Sequence, residues 1–255
     1  MKVRKASGEL EEFSAQKVKN GLLRAGATEE LADKILDHLE PELYEEIPTR
    51  EIYSHVFSLL KKWGLPLASK YNLKSAIREL GPSGYPFEQF VASILLRLGY
   101  QVKVGEIVQG KCVAHEIDVI AQKNGSLFLV ETKFHNRAGT KSDIQTALYV
   151  WARFLDVSQK SADFKEGWLV TNTKATAQAI TYANCVGLKV VSWDYPENFS
   201  LRYLIEKSKL HPITCLQTLK ENEKKILLKK GVVFCQDLAR GKISPQVKSE
   251  LRAIL

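Results

Sequence analysis

The sequence predicts an α/β protein. An αβββαβαβ core over residues 81–206 follows a small, mostly helical domain over 1–80 and precedes a short basic helical tail over 207–255. Three observations support this. Gly81-Pro82-Ser83-Gly84-Tyr85-Pro86 breaks any helix and reads as a linker. Apolar residues keep helical spacing before it and switch between helical and strand spacing after it. Charge is also unevenly placed: residues 207–255 carry 11 Lys/Arg against 4 Asp/Glu, whereas the remainder is nearly balanced.

In the first segment, Val3-Arg4-Lys5, Ser7-Gly8 and Glu11-Glu12-Phe13 suggest a small hairpin. Ser14 is placed to cap a helix over 15–25, Thr28 one over 29–39, and Thr49 one over 50–63. A fourth helix is expected over 67–80. The second segment begins with a helix over 87–98, bearing Phe90, Val91, Ile94 and Leu95 on its apolar side. Strands are expected at 100–104, 116–121 and 127–132, the last two joined by Asn124-Gly125, a strong hairpin turn. A helix over 141–155, a strand over 168–171, a helix over 175–186 and a strand over 188–193 complete a meander feeding a crossover unit. In the tail, a helix over 221–230 is followed by Gly231 and a second helical stretch near Asp237-Leu238, in the manner of a helix-hairpin-helix.

No apolar run approaches the roughly 18–20 residues that span a membrane, and the polar N-terminus is no secretory signal. The four cysteines include no CxxC pair and, with the histidines, no zinc-ligand spacing. A cytoplasmic protein with reduced thiols is therefore expected. The basic tail suggests a polyanionic partner, of which nucleic acid is the commonest.

The chemistry concentrates in the meander. Asp118 and Glu131 stand inside otherwise apolar strands, where an ionised carboxylate is costly unless paired or bound to a cation. Side chains two apart on a strand share a face, so Glu131 and Lys133 project together. Two carboxylates with carbonyl oxygens and waters suit a hard cation such as Mg²⁺, which polarises a phosphodiester and activates a water. A neighbouring lysine can position that water and offset developing negative charge. No Ser/His/Asp or Cys/His set accompanies them. A rival structural reading pairs Asp118 and Glu131 with Lys133 or Arg137.

Asp118, a spacer of twelve residues and Glu131-Thr132-Lys133 resemble the core of the PD-(D/E)XK nucleases, with Glu88 matching the acidic residue of that fold's first helix. The stretch from Gly167-Trp168-Leu169-Val170-Thr171-Asn172 onward resembles the Mrr-like restriction endonuclease branch. Gln145 and Tyr149 share a helix face and resemble the QxxxY element that orients DNA or the active site. The resemblance implies a restriction-endonuclease-like fold, a DNA endonuclease, catalytic Glu88, Asp118, Glu131, Lys133 and Gln145, and Mg²⁺ or Mn²⁺ on Asp118, Glu131 and Glu88. Glu116, two residues before Asp118, departs from the usual small or neutral residue and offers a further carboxylate.

Residues 1–80 resemble an ATP cone, through Val3-Arg4-Lys5-Ala6-Ser7-Gly8, Glu11, Phe13, Lys17-Val18 and Thr49-Arg50-Glu51-Ile52. This implies ATP or dATP as effector, held by Lys5, Lys17 and Thr49, with Val3 and Glu11. Ammonium groups beside a helix start are ready phosphate ligands. Ala6 departs from the family's basic residue and weakens that site. No GxxxxGK[ST] occurs, which argues against motor ATPase work. DNA, a nucleoside triphosphate and a second copy in a homodimer are the expected partners. Alternatives are a catalytically inactive nucleotide-sensing DNA-binding or regulatory protein, and a junction-type repair nuclease.

Overall fold

The expected hairpin opens the chain in the computed structural model, which describes every residue except Arg240 and Lys242. β1 (Lys2–Arg4) and β2 (Leu10–Glu12) pair antiparallel. Ser14 accepts a hydrogen bond from the Lys17 amide at 3.3 Å and starts α1 (Ala15–Arg24). Thr28 does the same for Leu31 at 3.2 Å and starts α2 (Glu29–Leu39). A two-residue strand, β3 (Ile47–Pro48), pairs parallel to β1 and runs directly into α3 (Thr49–Trp63). The expected Thr49 cap is thus corrected: Pro48 occupies the cap position, with its fixed φ suited to the entry, and Thr49 is the first helical residue. The single helix expected over 67–80 is two, α4 (Leu65–Tyr71) and α5 (Leu73–Arg78). Asn72 between them accepts from the Tyr53 hydroxyl at 2.6 Å. Leu22, Ile35, Leu39, Ile47, Val56 and Leu60 form the core here.

The chain divides into two units, Met1–Ile77 with His211–Leu255, and Arg78–Leu210. The second unit begins with α6 (Tyr85–Arg97) and a meander of β4 (Gln101–Gln109), β5 (Ala114–Lys123) and β6 (Ser126–Lys133). β4 and β5 run well past their expected ends. Asn124 and Gly125 both have positive φ (51° and 78°), as their tight hairpin turn requires. β7 (Lys141–Ser142) pairs with β9 (Lys174–Ala175), so the helix expected from 141 begins later. It is α7 (Ile144–Lys160), capped by Asp143, which accepts from the Thr146 amide at 3.0 Å. β8 (Phe164–Thr171), α8 (Ala177–Val186), β10 (Lys189–Val191) and α9 (Leu201–Ser208) complete the unit. The five-stranded sheet has the order β10-β8-β6-β5-β4. Its β4, β5 and β6 are antiparallel, and β6, β8 and β10 run parallel. The α/β class and the αβββαβαβ order are those expected.

The tail holds α10 (Glu221–Lys229), α11 (Cys235–Leu238) and α12 (Pro245–Ile254) around their own core of Ile213, Leu216, Leu238, Leu251 and Ile254. It belongs to the same unit as the first 77 residues. Glu250, only 2% exposed, accepts from the Gln217 amide (2.8 Å), the Thr218 amide (3.0 Å), the Thr218 hydroxyl (2.6 Å) and the Ser69 hydroxyl. That set satisfies a buried carboxylate and ties α12 to α4. Lys224 is likewise buried and pairs with Glu221 at 2.9 Å. Among the described residues no helix is long and apolar enough to cross a membrane.

Candidate active site

Antiparallel pairing of β5 with β6 sets Val119 opposite Val130 and Ile120 opposite Leu129. One step further along that register, Asp118 stands across from Glu131. Asp118 accepts from the Thr132 amide at 2.7 Å and from the Thr132 hydroxyl at 3.0 Å. Glu131 is only 6% exposed. Lys133, two residues on along the same continuous strand, lies on the same side and reaches solvent.

The partner of Glu131 is neither Lys133 nor Arg137. Arg153 of α7 donates to Glu131 Oε1 at 2.7 Å and to the Glu116 carbonyl at 2.9 Å. Its guanidinium also donates to the Tyr149 hydroxyl and lies 4.7 Å from the Tyr149 ring centre. Arg153 Nε is buried without a partner. Gln145, Tyr149 and Arg153 therefore form a stripe along α7 at spacings of four, and Arg153 joins it to the carboxylates. Arg153 escaped sequence reasoning; its continuation of the Gln145/Tyr149 spacing was the available signal.

Glu88 sits in the first turn of α6, half-buried. Burial raises its carboxyl, and the charges of Asp118 and Glu116 raise it further. Glu131 is pushed up from 4.5 to about 7, by burial first and then by Asp118, with Arg153 opposing and Glu88 adding to the rise. The three carboxylates expected to hold metal are thus close enough to repel one another. Among the described residues no three His, Cys, Asp or Glu side chains converge as a ready-made cage. Mg²⁺ characteristically takes one or two carboxylates and keeps several waters. A set of hard oxygen donors whose negative charge is only partly offset by Arg153 fits that requirement.

The flanking histidines are engaged elsewhere. His135 Nε2 lies 3.1 Å from the Ser142 hydroxyl, and its backbone exchanges hydrogen bonds of 2.8 and 2.9 Å with the Asn172 side chain. His115 Nε2 lies 2.8 Å from Asp156, which also accepts from the Cys112 and Val113 amides. These contacts hold Asp156 well below the usual carboxylate range and pin the β4–β5 turn to α7. A Cβ at Gly110 would stand 2.1 Å from Asp156 Oδ2, so only glycine fits this close approach.

In the first unit, Lys5 pairs with Glu11 and, at 3.3 Å, with Glu9, and Lys17 also pairs with Glu11. These lysines lower the Glu11 carboxyl to about 2. Parallel pairing of Val3 with Ile47 and Arg4 with Pro48 brings Lys5 level with Thr49 at the start of α3. Val3 is different: its side chain is 5% exposed and packs in the core, leaving only backbone for a ligand.

Comparison with known proteins agrees with both resemblances. Residues 1–78 match the family model for the ATP cone domain, residues 81–199 that for a restriction endonuclease of the Mrr catalytic type, and residues 211–252 that for the AF1548-like C-terminal region. An uncharacterized protein of Archaeoglobus fulgidus is 41% identical over 148 residues, covering 58% of this chain and 83% of that protein. The crystal structure of the protein of unknown function AF1548 superposes with a TM-score of 0.55 at 34% identity, covering 68% of this chain and 96% of that one. The fold and the matched region thus define a protein with a restriction-endonuclease-like core. Specifically, the chain belongs to the family of the Archaeoglobus fulgidus protein and AF1548, and its residues 81–199 match the Mrr-type restriction endonuclease model and its residues 1–78 the ATP cone model.

Proposed function

We propose that the chain is a divalent-cation-dependent DNA endonuclease whose cutting responds to ATP or dATP at the cone. The carrying observation is the burial of Glu131 across the β5–β6 pair from Asp118, with Lys133 two residues on along the same strand. Like charges so placed are tolerated where a cation offsets them.

Asp118 and Glu131, with Glu88 in support, would hold Mg²⁺ or Mn²⁺. The chemistry such an ion supplies is polarisation of a phosphodiester and activation of a water. Thr132 fixes Asp118, and Arg153 fixes Glu131, so neither carboxylate needs to reorganise when DNA arrives. Lys133 orients the attacking water and offsets the negative charge that builds on the phosphate. Gln145 and Tyr149, exposed on α7, face the DNA. In the tail, exposed Lys225, Lys229, Lys248 and Arg252 add backbone contacts that carry no sequence information. Two copies would be needed to cut both strands at one place, which makes a homodimer the natural assembly.

At the cone, Lys5 and Lys17 exchange Glu11 for the phosphates of a nucleoside triphosphate, and Thr49 adds a hydroxyl. Coupling to cutting then requires that nucleotide bind the DNA-free and DNA-bound protein with different affinity.

The test is cleavage of plasmid, linear, single-stranded and methylated DNA in Mg²⁺, Mn²⁺ or EDTA, with and without ATP and dATP. Cutting is expected to need the metal and to fall by roughly a hundredfold or more in Lys133→Ala. DNA binding without cutting in either protein would instead establish the non-catalytic reading.

A further inference from the structure

Two of the four cysteines, unremarkable in sequence, meet in the tail. Cys215 and Cys235 are both fully buried and belong to the same apolar cluster as Ile213, Leu216 and Leu251. The backbone around them is already laddered. Pro212 bridges Phe234 in antiparallel fashion, the Ile213 amide donates to the Val233 carbonyl at 2.9 Å, and the Cys235 amide donates to the His211 carbonyl at 2.8 Å. The Pro212 carbonyl accepts from both cysteines: from the Cys215 amide at 3.1 Å and from the Cys235 thiol at 3.5 Å. The Cys235 thiol and the Cys215 backbone thus meet at one carbonyl oxygen. Cys112 and Cys185, by contrast, are exposed and lie on the other unit.

We propose that Cys215 and Cys235 are a disulfide-forming site, a covalent staple between the segment that enters the tail and α11. The oxidant is a small-molecule disulfide of the glutathione class. The thiolate of one cysteine attacks it, releasing one small thiol and forming a mixed disulfide. The second cysteine, as thiolate, displaces the other small thiol. One S–S bond is broken and one formed, and the protons lost by the cysteines are taken up by the two released thiols. Two cysteines brought to one carbonyl oxygen by a laddered backbone are placed for the bond with little rearrangement. Closing the intervening loop removes conformational freedom from the unfolded chain, so the oxidised tail is the more stable one. The neighbouring Cys235 thiol and then burial raise Cys215 well above the ordinary thiol range, so the folded, reduced pair reacts slowly. The bond is therefore set during folding or when the tail opens.

The experiment refolds the full chain in oxidised or reduced glutathione, alkylates free thiols, and maps the peptides by mass spectrometry. A parallel chain carrying Cys112→Ser and Cys185→Ser leaves the buried pair as its only thiols. Oxidising buffer is expected to yield a Cys215–Cys235 linked peptide in both chains. Tm should be raised on the order of 5–10 °C relative to the reduced form, and the rise should vanish on adding reductant. Recovery of Cys215 and Cys235 as separate alkylated or glutathionylated peptides overturns the proposal. A linked peptide with no rise in Tm overturns the staple. The wild-type mapping needs no substitution in the core, so the result does not depend on a variant that fails to fold.

Discussion

Glu131 is buried near two further carboxylates at one site of this molecule, whereas Lys5 and Lys17 share the half-buried Glu11 at the other. Both sites gather charge near the end of a small set of strands, with opposite sign and opposite exposure. In the nuclease-like unit the negative charges repel and are only partly offset by Arg153, so the fold holds them at a cost that a bound cation would remove. In the cone the charges are already neutralised, in water, by a partner that phosphate oxygens can replace. Exposed ion pairs contribute little to stability, which makes them exchangeable. On the proposed function, the site that would keep an ion is built from buried like charges, and the one that would exchange an effector from more solvated opposite ones.

The contrast breaks most readily at Arg153. Removing one partner of a buried pair strands the other charge, at a cost of about 3 kcal/mol or more. Arg153→Met should lower the Tm measured by calorimetry and reduce cleavage roughly tenfold to a hundredfold through misplacement of Glu131. Lys5→Ala addresses the other side. It should weaken ATP binding about tenfold in a fluorescence titration while leaving the thermal stability nearly unchanged, because the pair it removes is exposed. Lys17, more exposed than Lys5, should matter less. Equal stability losses at Arg153 and Lys5 would erase the distinction.

A smaller and slower effect is expected from pH. Glu131 holds its proton more tightly folded than unfolded, with its value raised from 4.5 to about 7. Its contribution to stability is therefore greatest below pH about 4.5 and declines as pH rises to about 7. Glu88, raised in the same direction, adds to the decline. Chemical denaturation across this range without divalent cation should show the loss, and saturating Mn²⁺ should abolish it. A stability that climbs with pH over this window without cation would contradict the assignment.

Much of this was legible in the sequence, and the reasons are local. A carboxylate within Ile117-Asp118-Val119 or Val130-Glu131-Thr132 is anomalous in a strand, so both positions stood out, and the Asn124-Gly125 turn fixed which strands face each other. Lys133 follows from two-residue alternation. Arg153 did not stand out, because a basic residue on an amphipathic helix is usually solvated; only its tertiary contact with Glu131 gives it a role. β3 is two residues long and carries no periodicity, yet it aligns Lys5 with Thr49. Asp143 displaced the expected start of α7 because Lys141–Ser142 finds a strand partner more than thirty residues away. The tail reads only as a basic helical stretch; the burial of Glu250 and Lys224 within it depends on partners that spacing alone does not reveal.

The account rests most directly on the carboxylates forming a cation site, which calorimetric titration of Mn²⁺ into the wild-type chain and into Asp118→Asn would test. The predicted result is saturable binding to the wild type that tightens as pH rises through about 7 with release of protons, and that is lost in Asp118→Asn. Indistinguishable heats in the two proteins, or binding indifferent to pH, would contradict it.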